Sequence, residues 1–156
     1  MLTEKQMQLI EKIGVFSTEN GMQPSAARIG ALLLVSNKVE LTFDEIRTTL
    51  NLSKSATSNG INLLLTARRI EYVTKNGDRK RYFRSKIETW KDSFLENFNF
   101  LIQFSSILKE VREVRNDESP EFNAALSELV SFMQFTVAEM THIYERWQQQ
   151  SKETNK

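Results

Sequence analysis

The chain has 156 residues, of which 40% are hydrophobic and 26% charged, the balance of a folded domain rather than a disordered or membrane-embedded one. With no cysteine and a single histidine, His142, it has no disulfides, no thiolate zinc site and no histidine cluster for metal binding or catalysis. The net charge of +1 hides an asymmetry: residues 1–90 carry +5, residues 91–156 carry −4, and Arg47 to Lys86 sets ten basic side chains against only Glu71 and Asp78. Charge alone leaves two readings open, a footprint for a polyanion or a solvated basic face.

No apolar run approaches the roughly 20 residues of a membrane span; the longest, Ile29 to Val35, is bounded by Arg28 and Ser36. The opening Met1-Leu-Thr-Glu-Lys has no basic segment followed by an apolar one, so no signal peptide is expected and the cytoplasm is the expected location.

In chain order, Thr3 to Thr18 reads as a helix, with Thr3 and Gln6 as a capping box and an apolar stripe of Leu9, Ile10, Ile13 and Val15 or Phe16. Asn20-Gly21 ends it, and Pro24 opens a second helix through Val35 with Ile29, Leu32 and Leu33 inward. Thr42 and Glu45 cap a third, bearing Phe43, Ile46 and Leu50. After the turn at Asn51-Leu52, Ser53 caps a fourth helix running to about Arg68, with Thr57, Ile61 and Leu64 inward. Two short helices across a tight turn, the second polar outside, make a helix-turn-helix. The period then changes. Ile70-Glu-Tyr-Val-Thr and Arg79 to Arg84 read as two strands joined by Asn76-Gly77-Asp78, a hairpin signal, and a helix-turn-helix followed by a hairpin is a winged helix.

From Lys86 onward the chain is helical again. One stripe runs through Ile87, Trp90, Phe94, Phe98 or Asn97, Leu101, Phe104, Leu108 and Val111, and a break at Asn116 to Pro120 starts another through Phe122, Leu126, Leu129, Met133, Val137, Met140, Tyr144 and Trp147. These long stripes need partners, which an αα-hairpin and a second subunit would supply.

The runs Pro24-Ser-Ala-Ala-Arg-Ile-Gly-Ala-Leu-Leu-Leu, Leu41-Thr-Phe-Asp-Glu-Ile, Ser53-Lys-Ser-Ala-Thr-Ser-Asn and Gly77-Asp-Arg-Lys-Arg-Tyr-Phe resemble the GbsR-type branch of the MarR superfamily of transcriptional regulators. The resemblance covers roughly residues 24–90. It implies a homodimeric winged-helix regulator whose terminal helices form the dimer interface, with DNA contacts at Ser53, Lys54, Ser55, Ser58 and Asn59 and at the wing tip Asp78, Arg79 and Lys80. It also implies, for some members, regulation of glycine betaine or choline uptake. Three residues depart from the pattern: Gly60 lies mid-helix, Arg68 stands where a helix-ending glycine is usual, and Arg69 where an apolar residue is common.

The residues themselves point the same way. The outer face Lys54, Ser55, Ser58, Asn59 and Asn62 offers donors and acceptors suited to base edges, and no Asp or Glu occurs from Asn51 to Ile70 to repel phosphate. Arg79 at the wing tip suits a narrow minor groove, with Lys80 and Arg81 on the backbone. Arg28 could reach phosphate or pair with an acidic neighbour. Trp90, Phe94 and Tyr144 admit a ligand reading, as a cage for a cationic effector, beside the plainer one of helix packing. No phosphate loop, nucleophile elbow or metal-spaced cluster argues for an enzyme, and no cofactor is expected.

The expected fold is therefore mainly α with a small β-wing: a winged helix-turn-helix over 1–85, helical dimerisation elements over 86–150, and a disordered tail over 151–156. The expected partners are an operator in double-stranded DNA, a second copy of the chain and a small-molecule effector, with no membrane. The rival expectation is a winged-helix module that binds protein instead of DNA.

Overall fold

A computed structural model describes residues 2–154. The chain divides into two compact units, one up to Trp90 and one from Lys91 on.

In the first unit, α1 (Glu4–Glu19) starts from the Thr3–Gln6 capping box, which satisfies two backbone donors reciprocally. The helix α2 (Pro24–Val35) begins with proline at its first position and is capped by Gln23, whose Oε1 accepts from the Ala26 amide. A short strand β1 (Glu40–Thr42) leads into α3 (Phe43–Thr49), and Thr42 and Glu45 form the second box. Lys38 and the Thr42 groups hold the Glu45 carboxyl down to about 2. After α3 come α4 (Lys54–Thr66), β2 (Ile70–Thr74) and β3 (Arg81–Ser85), then a 3₁₀ turn at Lys86–Thr89.

Three helices end in the same way. The residue after each cap takes a left-handed conformation, Gly21 (φ 88°), Asn51 (φ 51°) and Arg68 (φ 54°), and the next amide reaches back to Ser17, Arg47 and Leu64 respectively. Asn51 thereby makes the tight turn between α3 and α4. Arg68 occupies a position that suits glycine, and α4 stops at Thr66, ahead of the expected end at Arg68.

The sheet is antiparallel in the order β1-β3-β2, with Thr74 opposite Arg81, Tyr72 opposite Phe83, and Leu41 opposite Phe83 on the other side. The hairpin was legible in the sequence; β1 was not, and β3 begins at Arg81 rather than Arg79. The core unites Ile10 of α1, Ile29, Leu32 and Leu33 of α2, Ile46 of α3, Ile61 and Leu64 of α4, and Leu41, Ile70 and Phe83 of the sheet. Each such side chain withdrawn from water contributes about 1.5–3 kcal/mol. Leu9, Val15 and Phe16, expected inward, are exposed, and the buried line of α1 is Ile10 and Gly14.

In the second unit, α5 (Trp90–Val114) and α6 (Pro120–Thr154) form an αα-hairpin. A polar clamp holds its turn: Arg115 Nε donates to Asn123 Oδ1 at 2.7 Å, Asn123 Nδ2 donates to the Asn116 carbonyl at 2.7 Å, and the Arg115 guanidinium lies over Phe122. Asn123, Leu126, Val130 and Met133 form the buried line of α6, continued by half-buried Val137, Met140 and Tyr144. The expected Phe122 and Leu129 are 57% and 46% exposed, and Phe104 and Val111 of α5 also face out. Each helix carries two apolar stripes one residue apart, and periodicity alone does not say which of them a hairpin buries. The helix α6 runs on through Thr154, so residues 151–154 of the expected tail are helical; Asn155 and Lys156 lie outside the described residues.

Candidate nucleic-acid interface

The site is built on α4. Ser53 Oγ accepts from the Ala56 amide at 3.1 Å, which fixes the start of the helix and commits that hydroxyl to capping. On the inner face Thr57 is fully buried, and its hydroxyl donates to the Ser53 carbonyl at 2.9 Å. Gly60 lets α4 settle against α2: a Cβ there would lie 2.7 Å from Ile29 Cδ1 and 3.0 Å from the Ala26 amide nitrogen. The glycine answers to helix packing rather than to DNA. Ser25 Oγ, which donates to the Ala56 carbonyl at 3.0 Å, ties the same seam.

With that face sealed, the opposite one must look outward. Lys54, Ser55, Asn59 and Asn62 are exposed and Ser58 is half-buried. Lys54 forms no ion pair among the described residues. Five polar side chains without a carboxylate thus share one convex surface, and each keeps donors or acceptors free for a base edge or phosphate.

The wing sorts its cations into two groups. Three basic side chains on or near it are held by acids: Lys75 by Glu40 at 2.8 Å, with its ammonium 4.2 Å from the Tyr82 ring centre, Arg84 by Glu71 at 2.6 Å, and Arg47 beside Asp44 at 3.6 Å. The pairing raises the pKa of Lys75 and of Arg84 above their ordinary values. Arg79, Lys80 and Arg81 are exposed and make no ion pair among the described residues; Arg81 lies over the Tyr72 ring at 5.7 Å.

Asp78 braces the tip that carries them. Its carboxylate accepts from the Lys80 amide at 2.9 Å and from the Tyr82 hydroxyl at 2.7 Å, and these bonds hold its pKa below the usual aspartate value. Asp78 therefore shapes the wing and stays ionised, so its charge offsets part of the wing's positive charge. The sequence carried a signal for this, an aspartate two residues before the amide it caps. The depression between the wing and α3, about 670 Å³, is lined by Lys38, Lys75 and Lys80 and also by Glu40, Asp44 and Glu45, so it is not an anion cradle.

Arg28 sits apart from this set. Its Nε and Nη2 donate to the two oxygens of Glu11 at 2.9 and 2.5 Å, which raises its pKa and lowers that of the carboxyl. Of the two readings the sequence left open, the structure brings Arg28 to the acidic neighbour.

Two of the candidate effector residues, Trp90 and Phe94, lie about one turn apart at the start of α5, and Tyr144 lies on α6. Trp90 closes the first unit. In the second, the Phe94 ring stacks on Tyr144 at 5.6 Å and on Phe98 at 6.2 Å, and Tyr144 meets Trp147 at 6.0 Å. Phe94 thus takes part in a run of ring contacts with Phe98, Tyr144 and Trp147, an arrangement that helix packing commonly produces. His142 is exposed on α6.

By sequence, no protein-family model matches this chain and no curated protein matches it. Among solved structures, the crystal structure of a transcriptional regulator aligns with 93% of this chain and 99% of its own at a TM-score of 0.75, with 20% identity. The fold is a winged helix. Weaker likenesses are to a MarR family transcriptional regulator from Silicibacter pomeroyi (TM-score 0.41, 19% identity, 81% of this chain and 82% of that one) and to a MepR–DNA complex of Staphylococcus aureus (TM-score 0.38, 16% identity, 83% and 90%). No described helix is long and apolar enough to cross a membrane, and no described group of three or more acids or histidines is placed to hold a metal.

Proposed function

We propose that this chain is a sequence-specific DNA-binding transcriptional regulator of MarR-like, GbsR-type character, a homodimer acting on a palindromic operator as a repressor. One observation carries the reading: the carboxylate-free outer face of α4 and the unpaired cations Arg79, Lys80 and Arg81 belong to one winged helix. In this reading Lys54, Ser55, Ser58, Asn59 and Asn62 enter the major groove, where amides and hydroxyls discriminate bases. Ser53 stays near the backbone as the helix cap. Arg79 enters a minor groove, and Lys80 and Arg81 bind phosphates and set the register.

The dimer rests on the second unit. On α5 the exposed Phe100, Phe104, Ile107, Val111 and Val114 each precede a more buried residue, Leu101, Ser105, Leu108, Arg112 and Arg115, as Phe122, Leu129, Phe132 and Ile143 precede Asn123, Val130, Met133 and Tyr144 on α6. One residue is a rotation of about 100°, and in antiparallel helices the same rotation brings both stripes to the same side of the hairpin. So large an apolar face matches the self-complementary patch of a two-fold dimer. A molecule that altered how the two copies meet would alter the spacing of the two heads, a route to effector control.

Selection of bound sequences from a random DNA pool, followed by titration at several salt concentrations, tests the proposal. It expects a palindromic consensus and an affinity that falls steeply with salt. A protein-binding module would retain no DNA at any salt.

A further inference from the structure

Three of the five glycines follow an asparagine, at Asn20-Gly21, Asn59-Gly60 and Asn76-Gly77. Asparagine before glycine is prone to cyclise, because glycine has no side chain to shield its amide nitrogen from the neighbouring side-chain carbonyl. The fold treats the three pairs differently.

At the end of α1, the Asn20 side chain donates to the Phe16 carbonyl at 2.8 Å and the Gly21 amide to the Thr18 carbonyl at 3.0 Å. Both reacting groups are engaged. The amide of Gly60 lies inside α4, within the helix hydrogen-bond ladder and against α2. At the wing tip neither restraint applies. Asn76 and Gly77 are exposed, and nothing lies within 4 Å of the open side of Gly77, which has φ +81°. The turn is closed around them by the Asp78 amide bonding to the Lys75 carbonyl at 3.0 Å. Among the described residues the Gly77 amide and the Asn76 side chain make no hydrogen bond. In sequence the pair is flanked by Lys75, whose ammonium is held by Glu40, and by Asp78, Arg79 and Lys80.

We propose that Asn76 is a site of spontaneous deamidation, which loosens the grip of the wing on DNA as the protein ages. The Gly77 amide gives up its proton to water, and its nitrogen attacks Asn76 Cγ. A C–N bond forms, and the side-chain nitrogen leaves as ammonia to give a succinimide. Water then opens the ring. Breaking the bond between nitrogen and Cγ gives aspartate, and breaking the bond between nitrogen and the main-chain carbonyl carbon gives isoaspartate, with the chain rerouted through the former side chain. Either product sets a carboxylate between Lys75 and Arg79, and the second also lengthens the turn that presents Arg79. The effect on binding rests on the function proposed above; the modification does not.

The test is to hold the full chain in mildly alkaline buffer at physiological temperature and map its peptides by mass over several days. The peptide carrying residue 76 should acquire the mass of an acid and split into two isomers, while those carrying Asn20 and Asn59 stay unchanged. An Asn76 that survives as long as Asn20 and Asn59, in a time that converts the denatured chain, would overturn the proposal. Asn76→Gln, whose ring would be one atom larger, should resist conversion. On DNA that fresh protein binds, fully converted wild type should bind about three- to tenfold more weakly than equally aged Asn76→Gln, because one positive charge is offset. Equal affinities would overturn the loss of grip. If fresh protein binds no DNA, the proposed function fails, and the peptide map still decides the chemistry.

Discussion

The two units solve the problem of apolar surface differently. In the head, Ile29, Leu32 and Ile46 are at most 1% exposed, and helices and sheet close around them. In the hairpin the most buried apolar side chains are Leu126, Val130 and Met133 at 7–8%, while Phe100, Phe132 and Phe135 are more than 60% exposed. The head closes a core within one chain while leaving Phe16 and Val39 66% and 60% exposed; the hairpin buries its apolar side chains less completely and carries a longer exposed apolar stripe. Local packing supports the outer face of α4, and in the proposed dimer association would support the rest.

The comparison breaks most visibly if the hairpin face is made polar. Ile107→Glu with Phe132→Glu should leave the head folded yet turn a dimer into an 18.1 kDa monomer on gel filtration, with operator affinity down at least about a hundredfold through loss of two-headed binding. A double variant that remains dimeric would sink the proposed interface. The counterpart inside the head is Gly60→Val. It should destabilise by about 3 kcal/mol in urea melts, since the backbone of Ala26 cannot yield to a side chain. A stability change below about 0.5 kcal/mol would mean that α4 is not seated as described.

Smaller effects sharpen the head itself. Arg79→Ala should weaken operator binding about tenfold with little change in melting temperature, whereas Arg28→Ala, which loses only its Glu11 pair, should leave binding within about twofold. Asn51→Val, forcing a β-branched residue into a left-handed turn, should cost about 1–2 kcal/mol. The smallest effect concerns pH. Glu45 titrates near 2 in the folded head, below its ordinary 4.5, so its contribution is fully present above about 4.5 and fades as pH falls towards 2. Glu45→Gln should flatten that part of an acid titration followed by circular dichroism.

Much of the head was legible in the sequence because its signals are local. The Thr3–Gln6 and Thr42–Glu45 boxes, Pro24 at a helix start and Asn76-Gly77 in a turn each act within four residues. The strand β1 was not legible: three residues acquire strand character only by pairing with β3, forty or more positions later. The capping of α2 by Gln23 was missed because glutamine is a rare cap. In the hairpin, Phe122 and Leu129 fit an inward stripe as well as Asn123 and Val130 do. The Arg115–Asn123–Asn116 clamp holds Asn123 inward, on the line that the hairpin buries.

Gly60 has one more consequence. Because α4 abuts α2 through the lack of a side chain, the helix cannot roll about its axis without a clash, and its outward residues keep a constant bearing. Lys54, Ser55, Asn59 and Asn62 lie off that contact, so they are interchangeable letters on a fixed typeface. On the proposed function, a new operator preference should be writable at those four positions without remaking the head.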